Sequence, residues 1–207
     1  FLERLLKDRE DSRFVAFYDD NQDVFGRWAD LPWGGRGAGR KLLKENCRNT
    51  KAIIDYLNDH HSSEMVPFNR SPQGERVVER LVRDVDEFER LLHQDIESLL
   101  KNDVSPGQIV VLFGEPKGDS MLADIHAFGK MKFEAISRYY DERAHCIQFT
   151  TINMFKGLEA DVVFAVVPDN SDSETPDKSL YTLGSRARVL LYVYHQRFAI
   201  VKRGIDE

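Results

Sequence analysis

Four short segments of the chain carry side chains suited to binding phosphate groups. Two of them contain arginines, Asn46–Thr50 and Ser185–Arg188. A guanidinium contacts two phosphate oxygens at once without protonation ambiguity, and phosphoryl transfer is catalysed mainly by positioning and charge neutralisation. The other two are Thr151–Glu159, with a glycine between a lysine and a glutamate, and Asp19–Phe25, with Gln22. Because a neutral amide accepts a hydrogen bond from water and donates one to a phosphate oxygen, these residue types together indicate nucleotide chemistry.

The same segments resemble, in the same order, motifs of UvrD/Rep-type superfamily 1 DNA helicases. Asp19–Phe25 is similar to D-x-x-Q-x-I-Y/F, at the end of the family's first motor domain, and Asn46–Thr50 to N-Y-R-S/T, at the start of its second. Thr151–Glu159 resembles T-I-H-x-x-K-G-L-E, and Ser185–Arg188 resembles T/S-R-A-R. Each match alone is weak, since K-G-L-E is usually a charged turn and S-R-A-R a solvated helix end. The agreement of four motifs in order and spacing carries the resemblance.

The resemblance implies an α/β fold with a RecA-like parallel sheet flanked by helices. Residues 1–35 are then the end of a first RecA-like motor domain, and residues 36–207 form the second, a P-loop NTPase-like domain without its own P-loop. The chain is interpreted as the C-terminal portion of an ATP-dependent DNA helicase or translocase, whose ATP site is shared with an N-terminal motor domain of the same polypeptide. The chain contains neither G-K-T/S nor D-E-x-Q. The Mg²⁺ ligands are therefore expected from that other domain, and this chain alone is predicted inactive.

The resemblance also implies roles for individual residues around ATP. Gln22 senses the γ-phosphate, and Arg48 and Arg186 are γ-phosphate ligands from the moving domain, so these three are the predicted catalytic residues. Gly157 gives the nucleotide close access to the backbone, and Glu159 accepts a hydrogen bond from the ribose. All four motifs are expected at strand or helix ends that open into one ligand crevice.

Contacts to single-stranded or partly duplex DNA are predicted at a second set of residues. Phe25 and Trp28 lie near where the family places aromatic side chains that stack on bases, and Thr151 and Asn153 lie in the motif that contacts DNA. A basic run that could meet a phosphate backbone comprises Arg36, Arg40, Lys41, Lys44, Arg48 and Lys51. Aromatic side chains are more often part of a core, and a basic run is more often a solvated face.

Departures from the family pattern leave two alternatives open. Cys47 stands where the family has Tyr, Asn153 where it has His, and Arg27 and Trp28 are in reversed order. Cys47 and Asn153 favour a degenerate, non-catalytic RecA-like domain that binds nucleic acid or a protein partner, and the reversed order leaves the stacking residue open. The presence together of Gln22, Arg48, Glu159 and Arg186 favours the motor. A self-sufficient P-loop at Gly34–Lys41 ranks last, because Arg rather than Lys follows its final glycine, and a basic surface loop is the better interpretation.

Alternating apolar runs and helical periodicity predict the elements that must position these residues. The predicted strands are Phe14–Tyr18, Glu64–Phe68, Ile109–Phe113, Cys146–Ile152, Val162–Val167 and Val189–Tyr194. The predicted helices are Glu45–Asp59 and a segment from Asp84 to Leu100, while Arg76–Arg83 is ambiguous and Ser171–Lys178 is an exposed loop. Strands alternating with helices predict the α/β class.

Composition narrows the class of protein further. The 207 residues are 42% hydrophobic, enough to fill a core, and carry a net charge of −6, so any DNA contact must come from a local basic patch. Two cysteines without a C-x-x-C pair give no metal signature and suit a reducing cytosol. No membrane span is visible, and the resemblance implies a bacterial-type cytoplasmic protein associated with the nucleoid.

Overall fold

A computed structural model describes residues 43–61, 64–114, 127–128, 131–137, 139–168 and 178–197. In chain order the elements are β1 (Glu45–Asn46), α1 (Lys51–His61), β2 (Val66–Pro67), β3 (Val78–Val82), α2 (Val85–Lys101), β4 (Ile109–Phe113), β5 (Ala127–Phe128), β6 (Met131–Ala135), β7 (Ile147–Thr151), β8 (Ala160–Pro168), α3 (Lys178–Gly184) and β9 (Ala187–Gln196). A short 3₁₀ helix, Pro106–Gln108, precedes β4.

The main sheet has the strand order β3-β9-β8-β4-β7-β6-β5. The first six of these strands run parallel, and β5 pairs antiparallel with β6 at the edge. The central strand β4 is apolar at all five positions and buried at each of them, as expected when both faces of a parallel sheet are covered. The predicted α/β class, with a RecA-like parallel sheet flanked by helices, is confirmed.

Successive side chains of a strand point to opposite faces of the sheet, and on this sheet both faces are apolar. Helices pack on each face and form two apolar clusters. Ile109, Val111 and Phe113 of β4 pack in the cluster that contains the inner face of α2. Val110 and Leu112 pack in the opposite cluster, which contains residues of α1, α3 and the turn after β7. The segments with the candidate arginines are therefore anchored on the α1 and α3 face.

Strong local signals define α2. Asp84 is its N-cap, since its side chain accepts a hydrogen bond from the backbone N–H of Glu87. Phe88, Leu92 and Ile96 recur at helical spacing and are buried. The sequence-based helix from Asp84 is confirmed, as are the strands that became β2, β4, β7, β8 and β9, within two residues at each end.

One predicted element needs correction, one ambiguous segment is decided, and further elements appear. The helix predicted from Glu45 begins only at Lys51, because Lys44 and Asn46 pair through their backbones with the β2 strand, which holds this stretch extended. The ambiguous segment Arg76–Arg83 contains a strand, β3, which adds to the edge of the sheet. The β5–β6 hairpin and α3 were not predicted from the sequence.

Several predicted features lie outside the described residues. They are the strand Phe14–Tyr18, the segment 1–35, the Gly34–Lys41 loop and the loop predicted from Ser171, of which only Lys178, the first residue of α3, is described. None of the described helices is long and apolar enough to cross a membrane. Cys47 and Cys146 are both free thiols, one exposed and one buried.

Candidate functional site

The loop before α1 presents one arginine outward and one asparagine inward. The Asn46 side-chain oxygen accepts hydrogen bonds from the backbone N–H groups of Arg48, at 2.9 Å, and Asn49, at 3.0 Å, which forms a tight turn. The turn leaves Arg48 exposed, whereas Asn49 is only 2% exposed. Helix α1 starts directly afterwards, and its first N–H groups donate to the backbone carbonyls of Pro72 and Gln73.

Asn49 joins this loop to the segment that contains Arg186. Its Nδ2 donates to the backbone carbonyl of Ser185 at 3.2 Å and to that of Ala187 at 2.6 Å. Its Oδ1 accepts from Asn46 Nδ2 at 2.6 Å. Two of the motifs identified in the sequence, 136 residues apart, therefore touch.

Arg48 meets the third motif through an ion pair. Its Nε lies 2.7 Å from Oε2 of Glu159, and the two side chains are 42% and 38% exposed. Arg188 lies on the other side of the same carboxylate, with Nη1 3.7 Å from Oε1. Two predicted nucleotide-binding residues are thus brought together in a half-open, charged site.

Arg188 itself is held by acidic neighbours. Its guanidinium contacts Asp161 at 2.9 Å and Glu142 at 3.0 Å, in addition to Glu159. Partial burial lowers the pKa of Arg188, but the negative charges of Asp161 and Glu142 outweigh it and leave the pKa above its ordinary value. Arg188 therefore stays charged and fixes the rim of the site.

Arg186, a predicted phosphate ligand, points inward. The residue is 3% exposed, and its guanidinium donates to the backbone carbonyls of Thr182 at 3.1 Å and Leu158 at 3.4 Å. Its own carbonyl accepts from the N–H of Ala160 at 3.0 Å. To contact a phosphate, this side chain would have to leave those carbonyls, and its role stays a prediction.

The motif Thr151–Glu159 runs along the strand direction, from the edge of the sheet formed by the carboxyl ends of the parallel strands to the opposite edge, formed by their amino ends. Thr151 ends β7 level with Phe113, which is level with Val166 of β8. Ala160 begins β8 six residues before Val166, a distance of about 20 Å at strand spacing. Because β7 and β8 are parallel, the chain must return from the end of β7 to the level at which β8 begins. It covers this distance in eight residues, 152–159.

Consequently the predicted residues do not all lie in one crevice. Thr151 and Asn153 are at the carboxyl edge of the sheet, where Thr151 is buried and Asn153 exposed. Glu159 and Arg186 precede β8 and β9 and lie at the opposite, amino edge. The expectation of a single crevice missed that a motif between parallel strands must start and finish at opposite edges.

Gly157 occupies a conformation that favours glycine. Its φ is +85°, in the left-handed region, and a Cβ at this position would have no heavy atom within 4 Å. The preference is therefore conformational rather than steric. The backbone here is open on its outer side, which leaves room for a ligand to approach.

Asn49 and Arg188 are site residues that the sequence alone does not single out, although each belongs to one of the four motifs. No local sequence signal distinguishes a polar side chain that is buried and hydrogen-bonded from one that is exposed, so the roles of Asn49 and Arg188 depend on tertiary contacts. Gln22, Phe25 and Trp28 lie outside the described residues. Within the described ranges, no group of three or more His, Cys, Asp or Glu side chains is arranged to hold a metal ion.

Comparisons with known proteins agree with the motifs. Residues 147–194 match the family model of the UvrD-like helicase C-terminal domain, a range that includes both Thr151–Glu159 and Ser185–Arg188. The resemblance to UvrD-like helicases is thereby confirmed for this part of the chain. No curated protein matches.

Solved structures show a similar fold. The C-terminal domain of a possible DNA helicase from Lactobacillus plantarum WCFS1 has a TM-score of 0.53 and 20% identity, over 73% of this chain and 88% of that one. At this identity the likeness shows a shared fold alone. The arterivirus nonstructural protein 10 helicase has a TM-score of 0.29 and 15% identity, over 73% of this chain and 25% of that one, which is too low to support an argument.

Proposed function

We propose that the chain is the C-terminal portion of an ATP-dependent DNA helicase or translocase. It supplies arginines, nucleotide contacts and single-stranded DNA contacts to an ATP site completed by an N-terminal motor domain of the same polypeptide. The family match supports a place in a helicase. The observation that carries the rest is the convergence of three motifs, with Arg48 and Glu159 only 2.7 Å apart.

The open ion pair supports a nucleotide site because its partners are available for exchange. Half-exposed pairs contribute only about 0–1 kcal/mol, so a ligand can replace the contact at little cost. The guanidinium of Arg48 fits phosphate oxygens, and the carboxylate of Glu159 fits a ribose hydroxyl. Gly157, two residues before Glu159, leaves the backbone accessible beside them.

ATP with Mg²⁺ is the proposed cofactor, and the described residues fit the nucleotide but not the metal ion. Arg48, Gly157 and Glu159 would hold phosphate and ribose, and bound Mg²⁺ would neutralise charge on the phosphates during transfer. The described residues offer no metal-binding group, so the N-terminal motor domain is proposed to supply the Mg²⁺ ligands. The arginines would add positive charge from the opposite side of the cleft.

The path of Thr151–Glu159 supports a link between nucleotide and DNA. Exposed Asn153 at the carboxyl edge is proposed to contact DNA, and Glu159 at the amino edge to contact nucleotide. One short segment, pinned at its middle by the buried side chain of Phe155, connects them. A shift at either end would be transmitted to the other through this continuous piece of chain.

The test is Arg48→Ala in the polypeptide that includes the upstream motor domain. Loss of a phosphate-contacting arginine should lower kcat for DNA-stimulated ATP hydrolysis about 10³-fold or more while DNA affinity is retained. Lys44→Ala is the matched control, because Lys44 is an exposed cation near the same loop that pairs with Glu64 instead. Equal turnover in the Arg48 variant and the control would remove Arg48 from the ATP site.

A second function, a non-catalytic DNA- or protein-binding module, is favoured by one observation. The buried guanidinium of Arg186, held by two backbone carbonyls, is what a purely structural arginine would show. ATP turnover of the unaltered polypeptide separates the two functions, since the module function expects none that DNA stimulates. Where turnover is present, the motor function expects Arg186→Ala to abolish it while DNA affinity is largely kept.

A further inference from the structure

One flank of the backbone around Arg186 is not paired with any strand that the structure describes. Strand β3 pairs with β9 only from Tyr192 onward, so the start of β9 lacks a described strand neighbour on that flank. The carbonyls of Ser185 and Ala187 accept from the Asn49 side chain instead, and both residues are buried. The side-chain amide of Asn49 thus supplies the two hydrogen bonds that a neighbouring strand would otherwise donate to these carbonyls.

We propose that Asn49 is a positioning residue that locks the Arg186 segment to the Arg48 loop, so that the two arginines move as one unit. Its catalytic consequence rests on the proposed motor function, whereas the clamp itself does not. The donor assignment is set by its surroundings, because the opposite amide orientation would place an oxygen against two carbonyl oxygens. Asn46 completes the arrangement by donating to Asn49 Oδ1.

The clamp belongs to a closed circuit of contacts. Asn49 holds the carbonyls on both sides of Arg186, and the carbonyl of Arg186 on the opposite side accepts from Ala160. Residue 159 precedes Ala160 in the chain, and its carboxylate binds Arg48, the neighbour of Asn49. Breaking the circuit at Asn49 should loosen Arg186 relative to Arg48 without removing either arginine.

Asparagine suits this position because one nitrogen carries two hydrogens. Asn49→Ser keeps one hydroxyl donor and can satisfy only one carbonyl. Asn49→Asp keeps the shape but removes both donors and turns an oxygen toward the carbonyls. The two variants therefore form a graded series, and the milder one remains informative if Asn49→Asp does not fold.

Hydrogen exchange in the 207-residue chain tests the clamp directly. Asn49→Ser should speed exchange of the Ala160 and Arg186 backbone N–H groups about tenfold, and Asn49→Asp more, while α2 amides keep their rates. Asn58→Asp is the matched control, since Asn58 clamps the backbone of Met65 through both ends of its amide. It should speed exchange at Met65 and leave Ala160 unchanged.

Two results would overturn the inference. One is a wild-type exchange rate at Ala160 in both Asn49 variants, and the other is an acceleration in Asn49→Ser that is uniform over the whole chain, since that is general destabilisation.

Turnover in the longer polypeptide then separates the clamp from the motor function. If unaltered protein hydrolyses ATP, Asn49→Ser should lower kcat about tenfold with little change in KM, and Asn58→Asp should not. An unchanged kcat with faster exchange contradicts the catalytic consequence of the clamp. If unaltered protein does not hydrolyse ATP, the proposed function fails, while the exchange result still decides the clamp.

Discussion

Two arginine–carboxylate pairs in this molecule use the same chemistry in opposite settings. Arg80 contacts Asp95 through two nitrogens, at 3.0 and 2.8 Å, and the Asp95 side chain is 9% exposed. Arg48 contacts Glu159 at 2.7 Å, with both side chains well exposed. We call the first pair closed, because its carboxylate is buried, and the second open, because both of its side chains reach solvent. Burial rather than distance separates a structural ion pair from one that a ligand can displace.

The closed pair owes its stability to a third partner. The hydroxyl of Tyr194 donates to Asp95 Oδ2 at 2.7 Å, so three donors serve one carboxylate between α2 and the sheet. Burial, and then the hydrogen bond to Asp95, raises the pKa of Tyr194 well above its ordinary value, which keeps the hydroxyl protonated as a donor. Glu159, in contrast, faces two arginines at a solvent-exposed rim.

The largest effect is expected from Asp95→Ala. Removing the carboxylate leaves the buried Tyr194 hydroxyl without this partner, at a cost of about 1–3 kcal/mol, and Arg80, which is 35% exposed, loses its two contacts. Chemical denaturation of the 207-residue chain would measure the loss. Glu97→Ala on the exposed side of the same helix is the control, since its pair with Lys101 is worth about 0.3–0.5 kcal/mol. Similar losses for both variants would show that the Asp95 pair is not closed.

A smaller effect is expected from Gly157→Ala, in the turn that leads to Glu159. An alanine at φ +85° is strained by about 1–2 kcal/mol although nothing obstructs its Cβ. Gly157→Asn should recover much of the loss, because asparagine tolerates left-handed geometry. Thermal unfolding of both variants would measure the difference. An alanine variant as stable as the unaltered chain would mean that the turn adopts another conformation.

The smallest effect on stability is expected from Glu159→Gln. Loss of the charge on a half-exposed partner should change the free energy of unfolding by about 0–1 kcal/mol, and less at high salt. Denaturation curves at low and high salt concentration would measure it. A loss comparable to that of Asp95→Ala would place Glu159 among the structural carboxylates and remove the distinction between the two pairs.

Local signals explain which elements could be predicted. Helix α2 has a capping aspartate and a regular apolar face, and β4 is a short apolar run bounded by turn residues, so both were recognised with accurate bounds. The sequence predicts the start of α1 six residues too early. Lys44 and Asn46 pair with the β2 strand, and this pairing overrides the helical periodicity of the residues that follow. Helix α3 is only seven residues long, too short to show a clear period.

By itself, the sequence determined the α/β class, the helicase resemblance and the identity of the motif residues Arg48, Gly157, Glu159 and Arg186. These depend on residue types and local spacing. Tertiary structure alone decided that Arg48 pairs with Glu159, that Asn49 clamps the chain beside Arg186, and that the guanidinium of Arg186 points inward. Those arrangements join residues more than 20 positions apart, and they follow from strand order and from the crossing between two parallel strands.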